Sequence, residues 1–165
     1  MMKYVLTCCY ADDDKHGVFS YALSNYEGIL FSDQIIAVGN RKNDKSYCGH
    51  IALRRALRDV SKRSEGVSVI TLKLDDVLIE NVAYELLESV NTPVYPSLAE
   101  SSKRALRRFQ HYEFAKITTD VDVGLSVDEA TALDECESKL DELKTLKGRL
   151  ALLKMRLVSP NKIIQ

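Results

Sequence analysis

The chain has 165 residues, a formal net charge of −1 and 45% hydrophobic residues, the balance of one globular domain able to bury a core without staples. No apolar run approaches the roughly 20 residues that span a bilayer. The N-terminal Met1-Met2-Lys3-Tyr4-Val5-Leu6 stretch is too short and too soon acidic for a secretory signal, so the expected setting is cytoplasmic, with no membrane partner. Cys8, Cys9, Cys48 and Cys136 have neither CxxC spacing nor a nearby histidine pair, which excludes the common zinc patterns and leaves reduced structural thiols.

The near-zero net charge conceals segregation. Residues 41–63 carry Arg41, Lys42, Lys45, Arg54, Arg55, Arg58, Lys62 and Arg63 against only Asp44 and Asp59. Residues 120–142 are strongly acidic, with Lys139 the one basic side chain, and the chain turns basic again from Lys144. Separation of this kind informs about partners more than the total does.

In chain order, residues 3–10 are rich in Tyr, Val, Leu, Thr and Cys and suit a central strand. Asp12-Asp13-Asp14-Lys15-His16-Gly17 is a polar turn, and residues 18–25 and 27–33 read as a hairpin that 35–38 extends. Residues 47–63 have helical period, with Ile51, Ala52, Leu53, Ala56, Leu57 and Val60 on one stripe and Gly66 as the stop. Cys48 and His50 sit at i and i+2 on that helix and do not face each other, which disfavours a thiol nucleophile. An apolar strand over 67–74 precedes a second amphipathic helix over 76–90, closed by Asn91-Thr92-Pro93. Ser97 with Glu100 forms a capping-box signature for a helix to about His111, and 113–123 is a fifth strand. Ser126 with Glu129 is a second capping box, opening a long helix to about Val158.

The order β-β-β-α-β-α-α-β-α argues an α/β mixed five-stranded sheet flanked by helices, with a core over 1–125 and a long C-terminal helix and tail over 126–165. It resembles the ribonuclease H-like family. Ala52-Leu53 and Ala56-Leu57 fit that family's first-helix pattern, Asp75-Asp76-Val77-Leu78-Ile79 is similar to its Asp-Ser-x-Leu-Val, and Ala130-Thr131-Ala132-Leu133 to its Ala-Asp-x-Leu. Together these matches span about 3–137.

The resemblance implies phosphodiester hydrolysis by two Mg²⁺ or Mn²⁺ ions held by carboxylates. Its catalytic positions fall on Asp12 (or Asp13 or Asp14) and Asp75, and its metal ligands on Asp12, Asp75 and Asp128, with Glu129 and Asp134 also within about a turn. The expected glutamate and last aspartate positions instead hold Gly49 and Thr131, and no acidic residue lies between Lys45 and Arg58. His50 is a poor substitute ligand for Mg²⁺. The expectation is therefore a catalytically inactive, nucleic-acid-associated binding or assembly module that needs no cofactor. The alternatives are a divergent metal-dependent nuclease that uses Mg²⁺ or Mn²⁺, and a structural protein docking on a larger complex through its C-terminal helix.

Two features bear on partners. Arg54, Arg55 and Arg58, with Lys103, Arg104, Arg107 and Arg108, make basic helical faces able to follow a phosphate backbone. Leu133, Cys136, Leu140 and Leu143, then Leu146, Leu150, Leu153 and Leu157, form a coiled-coil-like seam with one stammer. Left in water, the part from Leu143 to Leu157 favours a homo-oligomer or a helical protein partner; folded back on its own domain, it needs neither.

Overall fold

The computed structural model describes residues 1–64, 67–87, 93–117 and 127–165, without the side chains of Leu87, Val127 and Asp128. Strands β1 (Met2–Asp12), β2 (His16–Asn25) and β3 (Gly28–Val38) form the antiparallel meander. Its first turn is fixed by the Asp13 carboxylate, which accepts the N–H groups of Lys15 and His16 at 2.8 Å each. Its second turn places Gly28 at φ 125°, a conformation that side chains resist.

Strand β4 (Ser68–Leu74) lies parallel beside β1, and β5 (His111–Lys116) lies parallel beside β4. Among the described residues the sheet has six strands rather than the expected five, in the order β5-β4-β1-β2-β3-β6. The sixth, β6 (Ile163–Ile164), adds to the edge of β3 in parallel. Two residues are too few to show a period in sequence.

Alternation along β1 sends Tyr4, Leu6, Cys8 and Tyr10 to one face and Cys9 to the other, and a core forms on each. Over the first core lies α1 (Lys45–Arg63), started by Asp44, which accepts the Tyr47 N–H at 3.0 Å. Against it packs α4 (Pro96–Leu106). Ser97 is not the cap of α4: Tyr95 takes that place, with Pro96 at the first helical position, and the Tyr95 hydroxyl donates to Asp44. The helix expected over 76–90 is composite, with α2 (Asp76–Leu78), a π-helical segment Ile79–Ala83 and α3 (Tyr84–Leu87). Its proposed end at Val90, Gly66 as a stop, the strand end at Val123 and the Ser126 cap lie outside the described residues.

Over the second face lies α5 (Val127–Lys144), burying Ala132, Cys136, Leu140 and Leu143 with Cys9, Val18 and Ile36. The expected single C-terminal helix is in fact two. Thr145 is extended, and its hydroxyl accepts the Gly148 N–H at 3.0 Å to start α6 (Leu146–Val158). A Cβ on Gly148 would meet the Glu142 carbonyl oxygen at 1.9 Å, so glycine is what lets α6 start so close to the end of α5. The stammer between Leu143 and Leu146 is this break. Leu143, 1% exposed, belongs to the sheet's core and not to a self-association seam. Within 127–165, α5 covers one face of the sheet and β6 extends its edge.

Lys162 ties the tail down. Its ammonium lies 2.6 Å from Asp33, 2.8 Å from Asp59 and 2.9 Å from the Tyr21 hydroxyl. Burial opposes these charges, but the Lys162 and Tyr21 hydrogen bonds win at Asp59, whose pKa falls below its ordinary 3.8, while that of Lys162 rises above 10.5. Asp59 therefore contributes stability present above pH 3.8 and lost as pH falls through its lowered pKa. Lys162 contributes stability present below 10.5 and lost as pH rises through its raised one. Lys162→Met is expected to cost about 1–3 kcal/mol near neutral pH and to shrink both flanks of the melting-temperature profile. An unchanged profile would contradict the assignment.

Candidate functional site

The strand tip carries Asp75, placed by the β1–β4 register that pairs Cys8 with Leu74. The backbone N–H of Asp75 donates to the Cys8 carbonyl at 3.3 Å. Its side chain accepts at both oxygens: Oδ1 accepts the Leu78 N–H at 3.0 Å as the cap of α2, and Oδ2 accepts the Tyr10 N–H at 2.5 Å. Burial raises the pKa of Asp75 above the carboxylate norm, with those N–H groups opposing.

The other positions do not assemble around it. The residue on β1 opposite Asp75 is Cys9. Asp12 lies three residues on, about 10 Å along the strand, paired with Gly17 at the hairpin end. The exposed Asp12 carboxylate lies 3.2 Å from the Tyr10 hydroxyl, which also reaches the Lys42 carbonyl at 3.2 Å. Tyr10 thus holds Asp75 by its backbone and Asp12 by its phenol. Asp13 is taken up by its turn.

At the glutamate position, a Cβ on Gly49 would meet Val82 Cγ2 at 2.5 Å and Leu78 Cδ2 at 3.5 Å. The wall that closes the position is the helix that Asp75 starts, with the π-helical segment presenting Val82. On the opposite face, Glu129 of α5 is buried and ion-paired with Lys73 at 3.1 Å, while Thr131 is half-buried. The Asp128 side chain lies outside the described residues. Among the described residues no three His, Cys, Asp or Glu side chains are grouped to hold a metal. Among the described residues the carboxylates do not converge as two divalent ions require.

Neither Cys48 nor His50 is a free nucleophile. Cys48 is buried and donates to the Arg41 carbonyl at 2.9 Å, and desolvation pushes its thiol up to about 11. The thiols of Cys8, Cys9 and Cys136 are likewise raised, chiefly by burial. His50 lies 2.9 Å from Glu85 and 3.1 Å from Ser102. The trio has the residue types of a hydrolase triad, but Ser102 is 0% exposed inside α4, where no substrate reaches it. It joins α1, α3 and α4 as a satisfied polar core. Glu85 and Ser102 carry no sequence signal beyond helical spacing.

The basic residues do converge. Arg54, Arg55, Arg58 and Lys62 of α1 share an open groove with Arg104 and Arg108, and Lys162 joins from the tail, against a single acidic residue, Asp59. Lys103 and Arg107 do not line it; Arg107 makes an exposed pair with Glu100 at 3.6 Å. Arg104 reaches the groove from α4 and Arg108 from the turn that follows the helix. Two of the lining arginines also have structural partners: Arg54 reaches Ser101 at 3.3 Å, and Arg55 donates to the Ile163 carbonyl at 2.9 Å, supporting β6. Burial and the adjacent Arg54 lower the pKa of Arg55, a site that an anion would relieve. Sequence missed Lys162, whose approach depends on β6.

No family model matches the sequence, and no curated protein does. Solved structures do. The chain is similar to RNase H1 from the halophilic archaeon Halobacterium salinarum, with a TM-score of 0.54 and 17% identity over 81% of this chain and 98% of that one. It is similar to an RNase H1 isolated from compost and solved with an RNA/DNA hybrid, with a TM-score of 0.59 and 10% identity over 86% and 99%. The N-terminal RNase H domain of a Mycobacterium tuberculosis protein gives 0.52 and 13% over 84% and 98%. At such identities the likeness is one of architecture. The fold is ribonuclease H-like.

The closed glutamate position can be probed directly. Gly49→Ala is expected to cost about 1–3 kcal/mol by overpacking, and Val82→Ala in the same chain to recover part of that loss. Thermal melts of the four chains give the coupling. Strict additivity would show that Val82 does not occupy the space.

Proposed function

We propose that this chain is a ribonuclease H-like binding module without phosphodiesterase activity and without a required Mg²⁺ or Mn²⁺ ion. It contacts nucleic acid through the α1–α4 groove, and a helix of a partner or of another copy through α6. The observation that carries the loss of catalysis is the close approach at Gly49. There a carboxylate is absent, and even a Cβ lacks room against Val82. Asp75, at the expected strand tip, accepts a backbone N–H at each oxygen, so its orientation is set by β1 and α2.

The groove supports phosphate-backbone binding, since each neutralised phosphate releases counterions and adds salt-dependent affinity. Structural neighbours include one solved with an RNA/DNA hybrid, which makes that duplex a reasonable first ligand. Four buried free thiols fit a reducing, cytoplasmic setting. Among the described residues no helix is long and apolar enough to cross a membrane.

Labelled RNA/DNA hybrid, DNA duplex and single strands test both halves. Binding is expected to fall steeply with salt. Arg54→Glu, Arg58→Glu, Arg104→Glu and Arg108→Glu together should weaken it and flatten the salt slope by roughly 0.9 for each phosphate that is no longer neutralised. The hybrid should stay intact with Mg²⁺ or Mn²⁺. Metal-dependent cleavage abolished by Asp75→Asn would establish the nuclease alternative, and binding indifferent to the four substitutions would remove the groove.

A further inference from the structure

Helix α6 has two apolar faces on opposite sides. Gly148, Leu152 and Met155 turn inward, where Leu152 and Met155 pack with the α5 core. Leu146, Leu150, Leu153 and Leu157 turn outward, 75%, 59%, 54% and 86% exposed. At roughly 100° per residue the two sets lie about half a turn apart. The helix therefore spends one face on its own domain and still presents a second. Four leucines at steps of four, three and four are a coiled-coil seam of one and a half heptads, with the leucines alternating between the d and a positions.

The flanking charges select what can pair with it. With Leu150 and Leu157 as a, and Leu146 and Leu153 as d, the e positions are Lys147 and Lys154 and the g positions are Arg149 and Arg156. Every flanking position is basic and exposed, and α6 contains no acidic residue. Residues at e and g decide partner and orientation. A second copy of α6 would face basic residues with basic residues whether it lay parallel or antiparallel, and like charges across an interface suppress that pairing. Nor does a second copy offer its α5. The exposed acids there, Asp134, Glu137, Asp141 and Glu142, have no outward leucine seam among them, because Leu140 and Leu143 are buried against their own sheet.

We infer that the outer face of α6 is a docking site for an amphipathic helix of a different protein, with an apolar seam flanked by glutamate or aspartate. The inference rests on the protein-binding part of the proposed function and not on its nucleic-acid part. Its leucines set it apart from the α1–α4 groove, where the lining is cationic and a phosphate backbone gains nothing from exposed apolar area.

The test uses the full chain and two synthetic peptides of about four heptads with leucine seams, one flanked by glutamate and one by lysine. The glutamate peptide is expected to bind at least about tenfold more tightly than the lysine peptide, and light scattering should show the chain alone to be monomeric. Leu150→Asp with Leu153→Asp should abolish binding without changing the melting temperature, since neither side chain is buried. Reversing Lys147, Arg149, Lys154 and Arg156 to Glu should switch preference to the lysine peptide, an outcome that loss of folding cannot imitate. A dimer of the chain alone, broken by Leu150→Asp and Leu153→Asp, would assign the seam to a second copy and overturn the inference. Equal binding of both peptides would overturn the charge selection. No peptide binding by a monomeric chain would remove protein docking altogether, leaving the groove's nucleic-acid reading to its own assay.

Discussion

The carboxylate of Asp75 joins three elements at the C-terminal end of β4. One oxygen holds the backbone of β1 at Tyr10 and the other starts α2 at Leu78. Charge-assisted bonds of this kind are stronger than neutral ones, and here they set where the following helix begins. That starting point, with the π-helical segment after it, brings Val82 against Gly49. One carboxylate thus fixes both the strand pairing at Tyr10 and the start of the helix whose Val82 closes over Gly49.

Much of this architecture was legible in the sequence. The meander, α1, β4 and the strand-tip aspartate could be read because hydrophobic period, turn residues and order agreed with one another. The lack of an acid between Lys45 and Arg58 was also plain. What could not be read was the packing of distant elements on one another. The closure of Gly49 depends on a π-helical segment that has no sequence period of its own. Asp12 looked like a ligand because it ends the first strand, yet the parallel register with β4 sets Cys9 opposite Asp75.

The C-terminal region shows how a strong local signal can mislead. The leucine rhythm runs through Leu143 and Leu146 with only a stammer, and Thr145 is unremarkable as a helix stop. The break follows from the Thr145 cap and the close approach of Gly148 to Glu142, local contacts within seven residues that the stronger leucine rhythm masks. It divides one apparent seam into an inner half that builds the second core and an outer half that stays exposed. In the same way, five of the seven expected basic residues share a groove because α1 and α4 pack side by side, which no single-helix pattern specifies. Lys162 enters that groove only because two isoleucines pair with β3.

The central claim is that Asp75 is a backbone clamp and not a metal ligand. The most direct measurement is the paramagnetic broadening of amide resonances as Mn²⁺ is titrated into the full-length protein. The amides of Tyr10 and Leu78 report on the two oxygens of Asp75. The account predicts that they broaden no more than other amides of similar burial, and that Asp75→Asn leaves the broadening pattern unchanged while lowering the melting temperature. Selective broadening of Tyr10 and Leu78 at micromolar Mn²⁺, removed by Asp75→Asn, would contradict it.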